Sequence, residues 1–225
     1  MADEPIDAVL FDIDGTLITT GGAGAEAWRR AFRELHDTDV DIRAVTESGM
    51  TDPEVGRTAL RHVLGRDPET RELSAAMGCY LGHLDQAVAG SEGYRVMPGI
   101  EALLERLVTD GLLLGLTTGN VEAAAHVKLS RAGLNRFFAF GGYGSDSTDR
   151  AELTRRAVER GMLVAGGTLA AAECIAVGDT PRDVAAAHAA GLRVAAVATG
   201  NYGRAELESS GPDWTLETVQ AGFPV

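Results

Sequence analysis

A chain of 225 residues, 45% apolar and 24% charged, is long enough to bury a core without disulfide or metal staples. Its formal net charge of −13 lacks the basic footprint of a nucleic-acid binder or of a reader of anionic membranes. Two cysteines, Cys79 and Cys174, are too few for a disulfide scaffold, and their flanks offer no C-x-x-C pair or histidine at zinc spacing. No apolar run approaches the roughly 20 residues that span a bilayer, and the acidic start Met1-Ala-Asp-Glu-Pro5 is unlike a secretory signal. The expectation is a cytoplasmic protein, monomer or homodimer, that handles a small molecule and neither nucleic acid nor membrane.

In chain order, short apolar runs occur at Ile6–Phe11, Leu112–Leu116, Phe137–Phe140, Cys174–Val177 and Val194–Val197. Each is too short for a free-standing helix and reads as a buried parallel strand. Helical patterns alternate with them. The clearest places Ile100, Leu103, Leu104, Leu107 and Val108 on one face, opened by Pro98-Gly99 and closed by Gly111. That alternation predicts an α/β fold, a parallel sheet of five to six strands with helices on both faces. The rhythm breaks once, between the first strand and Pro98, where helical candidates at 23–36, 53–64 and 69–90 follow one another without a convincing strand. We read this as a mainly helical insert over the carboxyl edge of the sheet. The expected division is 18–95 for the insert, with 1–17 and 96–225 as the sheet domain, and with hinges at Thr19–Gly24 and Tyr94–Gly99.

Candidate chemistry gathers where predicted strands end, the edge at which open α/β sheets place ligands. The first strand runs into Asp12-Ile13-Asp14-Gly15-Thr16. Two acids so close repel unless a cation or proton lies between them, and an oxygen-preferring divalent cation such as Mg2+ suits the role. The fourth strand runs into Gly178-Asp179-Thr180-Pro181-Arg182-Asp183, which adds Asp179 and, on the first turn of a helix begun by Pro181, Asp183. Singly, each acid also reads as a loop or capping residue; together they read as a metal site. The second strand ends in Thr117-Thr118-Gly119-Asn120, which reads either as a phosphate cradle or as an ordinary helix start capped by Asn120. For a fixed positive charge the candidates are Lys128, expected on the solvent face of its helix, and Arg150, which opens a helix after a polar loop and is better placed to reach inward.

On these segments the chain resembles the haloacid dehalogenase-like hydrolase superfamily. Asp12-x-Asp14-Gly15-Thr16 matches its first motif, Thr118-Gly119-Asn120 the second, Arg150 more loosely the third, and Gly178-Asp179-x-x-x-Asp183 the fourth. The resemblance covers the whole chain and is similar in plan to phosphoglycolate phosphatase-like members. It implies a Rossmann-like core with a C1-type cap at the helical insert. It further implies that Asp12 is the nucleophile forming an aspartyl-phosphate and that Asp14 is the acid, then the base. Mg2+ would be held by Asp12, the Asp14 carbonyl, Asp179 and Asp183, while Thr118, Gly119, Asn120 and Arg150 bind the phosphoryl group. In related capped enzymes the segment resembling Glu47–Asp52 reaches the active site, which makes Thr51 and Asp52 candidate substrate contacts. A β-phosphoglucomutase-like sugar phosphomutase shares the core motifs. A phospho-accepting receiver or a non-catalytic binding protein are the readings from other classes.

Overall fold

The computed structural model describes residues 5–225; the acidic start discussed above lies largely outside them. The chain runs β1 (Ala8–Phe11), β2 (Ile18–Thr20), α1 (Ala23–His36), α2 (Ile42–Val45), α3 (Asp52–Leu64), α4 (Thr70–Gly90) and β3 (Tyr94–Val96). It continues through α5 (Ile100–Thr109), β4 (Leu113–Thr118), α6 (Glu122–Ser130), β5 (Phe140–Tyr143), α7 (Arg150–Val164) and β6 (Cys174–Gly178). The last elements are α8 (Pro181–Ala189), β7 (Arg193–Val197), α9 (Arg204–Ser209) and β8 (Trp214–Leu216). Six strands form a parallel sheet in the order β5-β4-β1-β6-β7-β8. The chain fills one side of β1 with β4 and β5 and then returns to the other side with β6. The strand order therefore reverses at β1, the place where open sheets leave a crevice at their carboxyl ends.

Both faces of the sheet are covered, so its strands are apolar throughout rather than alternating. Phe11, Leu116, Ile175 and Val177 pack under Leu103, Leu104 and Leu107 of α5, while Ala8, Leu10, Ala176 and Val194 face Ala157 of α7 and Val184 of α8. Val108, expected on the buried face of α5, is 51% exposed.

Four strands depart from the sequence expectation: β5 is shifted, and β2, β3 and β8 fall outside the apolar runs. Of the aromatic run at 137–140, Phe137 ends a short 3-10 turn (Leu134–Phe137), Phe138 and Ala139 are irregular, and the strand itself begins at Phe140 and passes through Gly141 and Gly142. Glycine is required at 142 because a Cβ there would run into the Leu153 carbonyl of α7, which lies directly on the strand. The second departure lies at the expected hinges. Ile18–Thr20 and Tyr94–Val96 pair as an antiparallel two-stranded ribbon at the two ends of the helical segment.

Helices α1 to α4 bury their own cluster, in which Trp28 stacks on Tyr80 at 4.3 Å between ring centroids, with Phe32, Leu60 and Leu84 around them. No helix among the described residues is long and apolar enough to cross a membrane.

Candidate active site

Each strand that flanks the reversal delivers its polar residues to one spot. Asp12 follows β1 directly, and its amide donates to the Val177 carbonyl of β6 at 2.8 Å, which extends the ladder one residue and fixes the side chain over the sheet edge. The chain then turns sharply at Gly15, whose φ of +89° suits glycine. A Cβ at Gly15 would run into the Asp179 carboxylate, so this turn and the end of β6 touch at that glycine. Asp183 lies on the first turn of α8, as its spacing predicts. It accepts from Thr180 N at 3.0 Å and Thr180 Oγ1 at 2.7 Å in a capping box.

Carboxylate oxygens of Asp12, Asp179 and Asp183 come within 4.8 Å of one another, and all three residues are buried. Burial first, and then repulsion from Asp183, hold the Asp12 and Asp179 carboxyls well above the usual carboxylate range. Arg150 at the start of α7 answers part of this charge. It donates to Asp183 and lies 3.6 Å from Asp12, while its buried Nε has no partner within the protein. The set is all oxygen and over-negative, which fits a hard divalent cation.

The Thr118 side chain is fully buried and accepts from Asn120 Nδ2 at 2.8 Å. Asn120 does not cap the following helix. Val121 occupies that position, and the Glu122 amide is met by Ser145 Oγ at 3.3 Å. Asn120 instead donates to Asp14 Oδ2 at 2.9 Å.

Lys128 corrects the expectation drawn from its helix. Far from facing solvent, it is 5% exposed, with Nζ 2.6 Å from Asp14 Oδ2 and 2.5 Å from Asn120 Oδ1. Helical side chains lean toward the amino terminus, here toward Asn120, and the small Ala124 one turn earlier leaves the lysine stem a channel. A signal for it was present in the composition: Lys128 is the single lysine in a chain whose other basic residues are all arginine.

The helical segment supplies the opposite wall. Thr51 caps α3 in a box with Glu54, is fully buried and is set back from the cavity surface. Asp52 does not cap that helix. Its amide donates to the Gly119 carbonyl at 2.8 Å and its Oδ2 accepts from Val121 N at 2.9 Å. Burial, offset in part by Lys128, pushes the Asp52 carboxyl up to about 6. Between the two walls lies a cavity of about 670 Å³ reached by Asp12, Asp14, Asp179, Lys128, Arg150 and Asp52. Asp183 stands behind this surface. Trp28 and Tyr80 also line it, and nothing in the sequence reading singled them out.

Elsewhere, Cys79 does have a histidine one helical turn away, contrary to the reading of its flanks, and His83 pairs with the exposed Glu34 at 2.8 Å.

Comparison with known proteins agrees with this geometry. The profile of the haloacid dehalogenase-like hydrolases matches residues 6–191. A phosphoglycolate phosphatase of Rhodospirillum rubrum is 31% identical over 216 residues, covering 91% of this chain and 84% of the relative. A plasmid-encoded phosphoglycolate phosphatase of Cupriavidus necator is 28% identical, covering 96% and 91%. The crystal structure of CbbY from Rhodobacter sphaeroides in complex with phosphate shares the fold, with a TM-score of 0.76 at 22% identity over 97% of this chain and 96% of that one. With its motifs at the carboxyl ends of β1, β4 and β6, the chain belongs to the haloacid dehalogenase-like hydrolase family, among relatives that are phosphatases.

Proposed function

We propose that the protein hydrolyses small phosphate monoesters through an aspartyl-phosphate on Asp12, with Mg2+ as cofactor. The observation that carries this reading is the convergence of Asp12, Asp179 and Asp183 with Arg150 3.6 Å from Asp12. Asp12, Asp179, Asp183 and the Asp14 carbonyl are the groups that would hold the cation. Bound there, Mg2+ would offset the charge of a carboxylate approaching a phosphate.

Asp12 attacks phosphorus, forming the acyl phosphate as the ester oxygen leaves. Asp14 gives that oxygen its proton and later takes one from the water that hydrolyses the intermediate. Arg150, Thr118 and the amide of Gly119 hold the phosphoryl oxygens, and Asn120 steadies Asp14. Segment 18–95 serves as the cap that closes the cavity over the substrate. Asp52 favours hydrolysis over a sugar phosphomutase, since an acid on the cavity wall repels the second phosphate of a bisphosphate intermediate. Phosphoglycolate, the substrate named for relatives, is the first compound to assay.

The test is release of phosphate from a panel of monoesters, with and without chelator. Wild type turns over in Mg2+ and stops in chelator, and Asp12→Asn abolishes both turnover and the acid-stable phosphoprotein. Full activity in chelator, or persistent phosphoprotein in Asp12→Asn, would overturn the assignment.

A further inference from the structure

Lys128 holds a buried position beside Asp14 that the proposed mechanism leaves unexplained. Its Nζ bridges Asp14 Oδ2 and Asn120 Oδ1, and the buried Asp52 of the helical segment lines the same cavity. Asp14 is the most exposed member of the catalytic acids, its side chain being 41% accessible, so its orientation must be set by partners rather than by packing. Two partners hold it on the same oxygen: Asn120 Nδ2 at 2.9 Å and Lys128 Nζ at 2.6 Å. Asn120 is in turn held by Thr118 and by Lys128 itself, so the three side chains form a closed triangle under one carboxylate oxygen.

We propose that Lys128 is the positioning residue for Asp14, and that Asp52 links this position to docking of the helical segment on the core. The proposal rests on the reading of Asp14 as the acid that protonates the leaving oxygen. With one Asp14 oxygen pinned by Lys128 and Asn120, the other is left to face the substrate. Asp52 brings its charge to the cavity it shares with Lys128 when its amide and carboxylate are seated on Gly119 and Val121, so that charge arrives with the docked segment. A lysine suits the place, because a compact ammonium can address Asp14 and Asn120 from one atom at the end of a slender stem, whereas a guanidinium spreads its donors over a wider planar fork. The other basic residues of the chain are arginines.

A residue that acts through a general acid has a signature that a structural residue lacks. Protonation matters when the leaving group is a poor one, such as an alkoxide, and hardly matters for p-nitrophenolate, which leaves unaided. The experiment is single-turnover phosphorylation of Asp12 by an alkyl phosphate and by p-nitrophenyl phosphate, in saturating Mg2+, for wild type, Lys128→Met and Asp52→Asn. Methionine keeps the stem and its packing while removing the ammonium. We expect Lys128→Met to slow the alkyl ester by about tenfold to a hundredfold, the scale of a misplaced catalytic group, and to leave p-nitrophenyl phosphate within about threefold of wild type. Asp52→Asn, which can still accept from Val121, shifts the same ratio in the same direction by a smaller factor. Equal slowing of both esters by Lys128→Met overturns the positioning role, and an unchanged ratio in Asp52→Asn overturns the link to docking. If wild type phosphorylates from neither ester, it is the phosphatase reading that has failed.

Discussion

The Arg150 guanidinium is shared between Asp183, to which it donates, and Asp12, 3.6 Å away, so one cation at the start of α7 tethers the end of β1 to the first turn of α8. Its Nη1 also lies 3.4 Å from the Gly49 carbonyl of the helical segment. The residue is 11% exposed in its side chain, and loss of its charge leaves three buried carboxylates facing one another.

Arg150→Ala is therefore expected to cut turnover by roughly 10²–10³-fold in saturating Mg2+, the scale of losing a preorganised donor to a charged transition state. Arg150→Lys recovers part of this, since it restores the charge without the planar fork. Steady-state kinetics, with circular dichroism to confirm folding, decides it; an active Arg150→Ala enzyme would remove the residue from the phosphoryl site.

Gly15→Ala tests the contact between the first turn and β6. The left-handed φ and the Asp179 carboxylate both oppose a side chain at this position. The variant is expected to lose Mg2+ affinity before it loses its fold, because Asp179 is the group that must yield. Calorimetric titration of Mg2+ measures this, and unchanged affinity would show that the turn has room to spare.

The pH dependence of metal-free stability follows from Asp12 and Asp179. Burial and Asp183 raise both carboxyls, to about 7 and about 9, whereas in the unfolded chain they titrate near 4. Between those limits the folded protein holds more protons than the unfolded one, so stability is greatest on the acid side and falls as pH rises through the folded values. Thermal unfolding in chelator from about pH 5 to about pH 9 should show a declining Tm, and saturating Mg2+ should flatten it. A Tm that rises over this range without metal would contradict the placement of the acids.

Thr51→Ala separates support from chemistry at the edge of the cavity. The threonine caps α3 and does not line the cavity, so the variant should lose about 1 kcal/mol of stability while kcat changes little. Denaturant unfolding beside kinetics checks both; a large loss of kcat without a loss of stability would return Thr51 to the substrate.

Much of this architecture is legible in the chain because its physical causes are local. Buried parallel strands have to be apolar runs, which is why β1, β4, β6 and β7 stand out, and the acids that follow them betray themselves by mutual repulsion. What is hidden has causes that lie elsewhere in the fold. Gly141 and Gly142 look like a loop until α7 is laid across them, and the aromatic run just before them attracts the strand assignment instead. Ile18–Thr20 and Tyr94–Val96 are three-residue strands whose partner is far away in sequence. Lys128 violates a sound default, that a cation in mid-helix is solvated, because Asp14 and Asp52 arrive from two other parts of the chain. Its oddity as the sole lysine was visible, but without Asp14 beside it that oddity had no meaning.

The antiparallel pairing of Ile18–Thr20 with Tyr94–Val96 has a mechanical consequence. Because the two crossings are bonded to each other, they behave as one torsion strap rather than two independent strings. Any opening of the helical body about that strap would have to part both the seam between Asp52 and Gly119 and the packing on Val121 and Ala124 of α6. Adding one residue to either strand would offset the strap by half a pleat and swing the body sideways. The seam would then gape, and the apolar cluster that α1 to α4 share with Val121 and Ala124 of α6 would be broken.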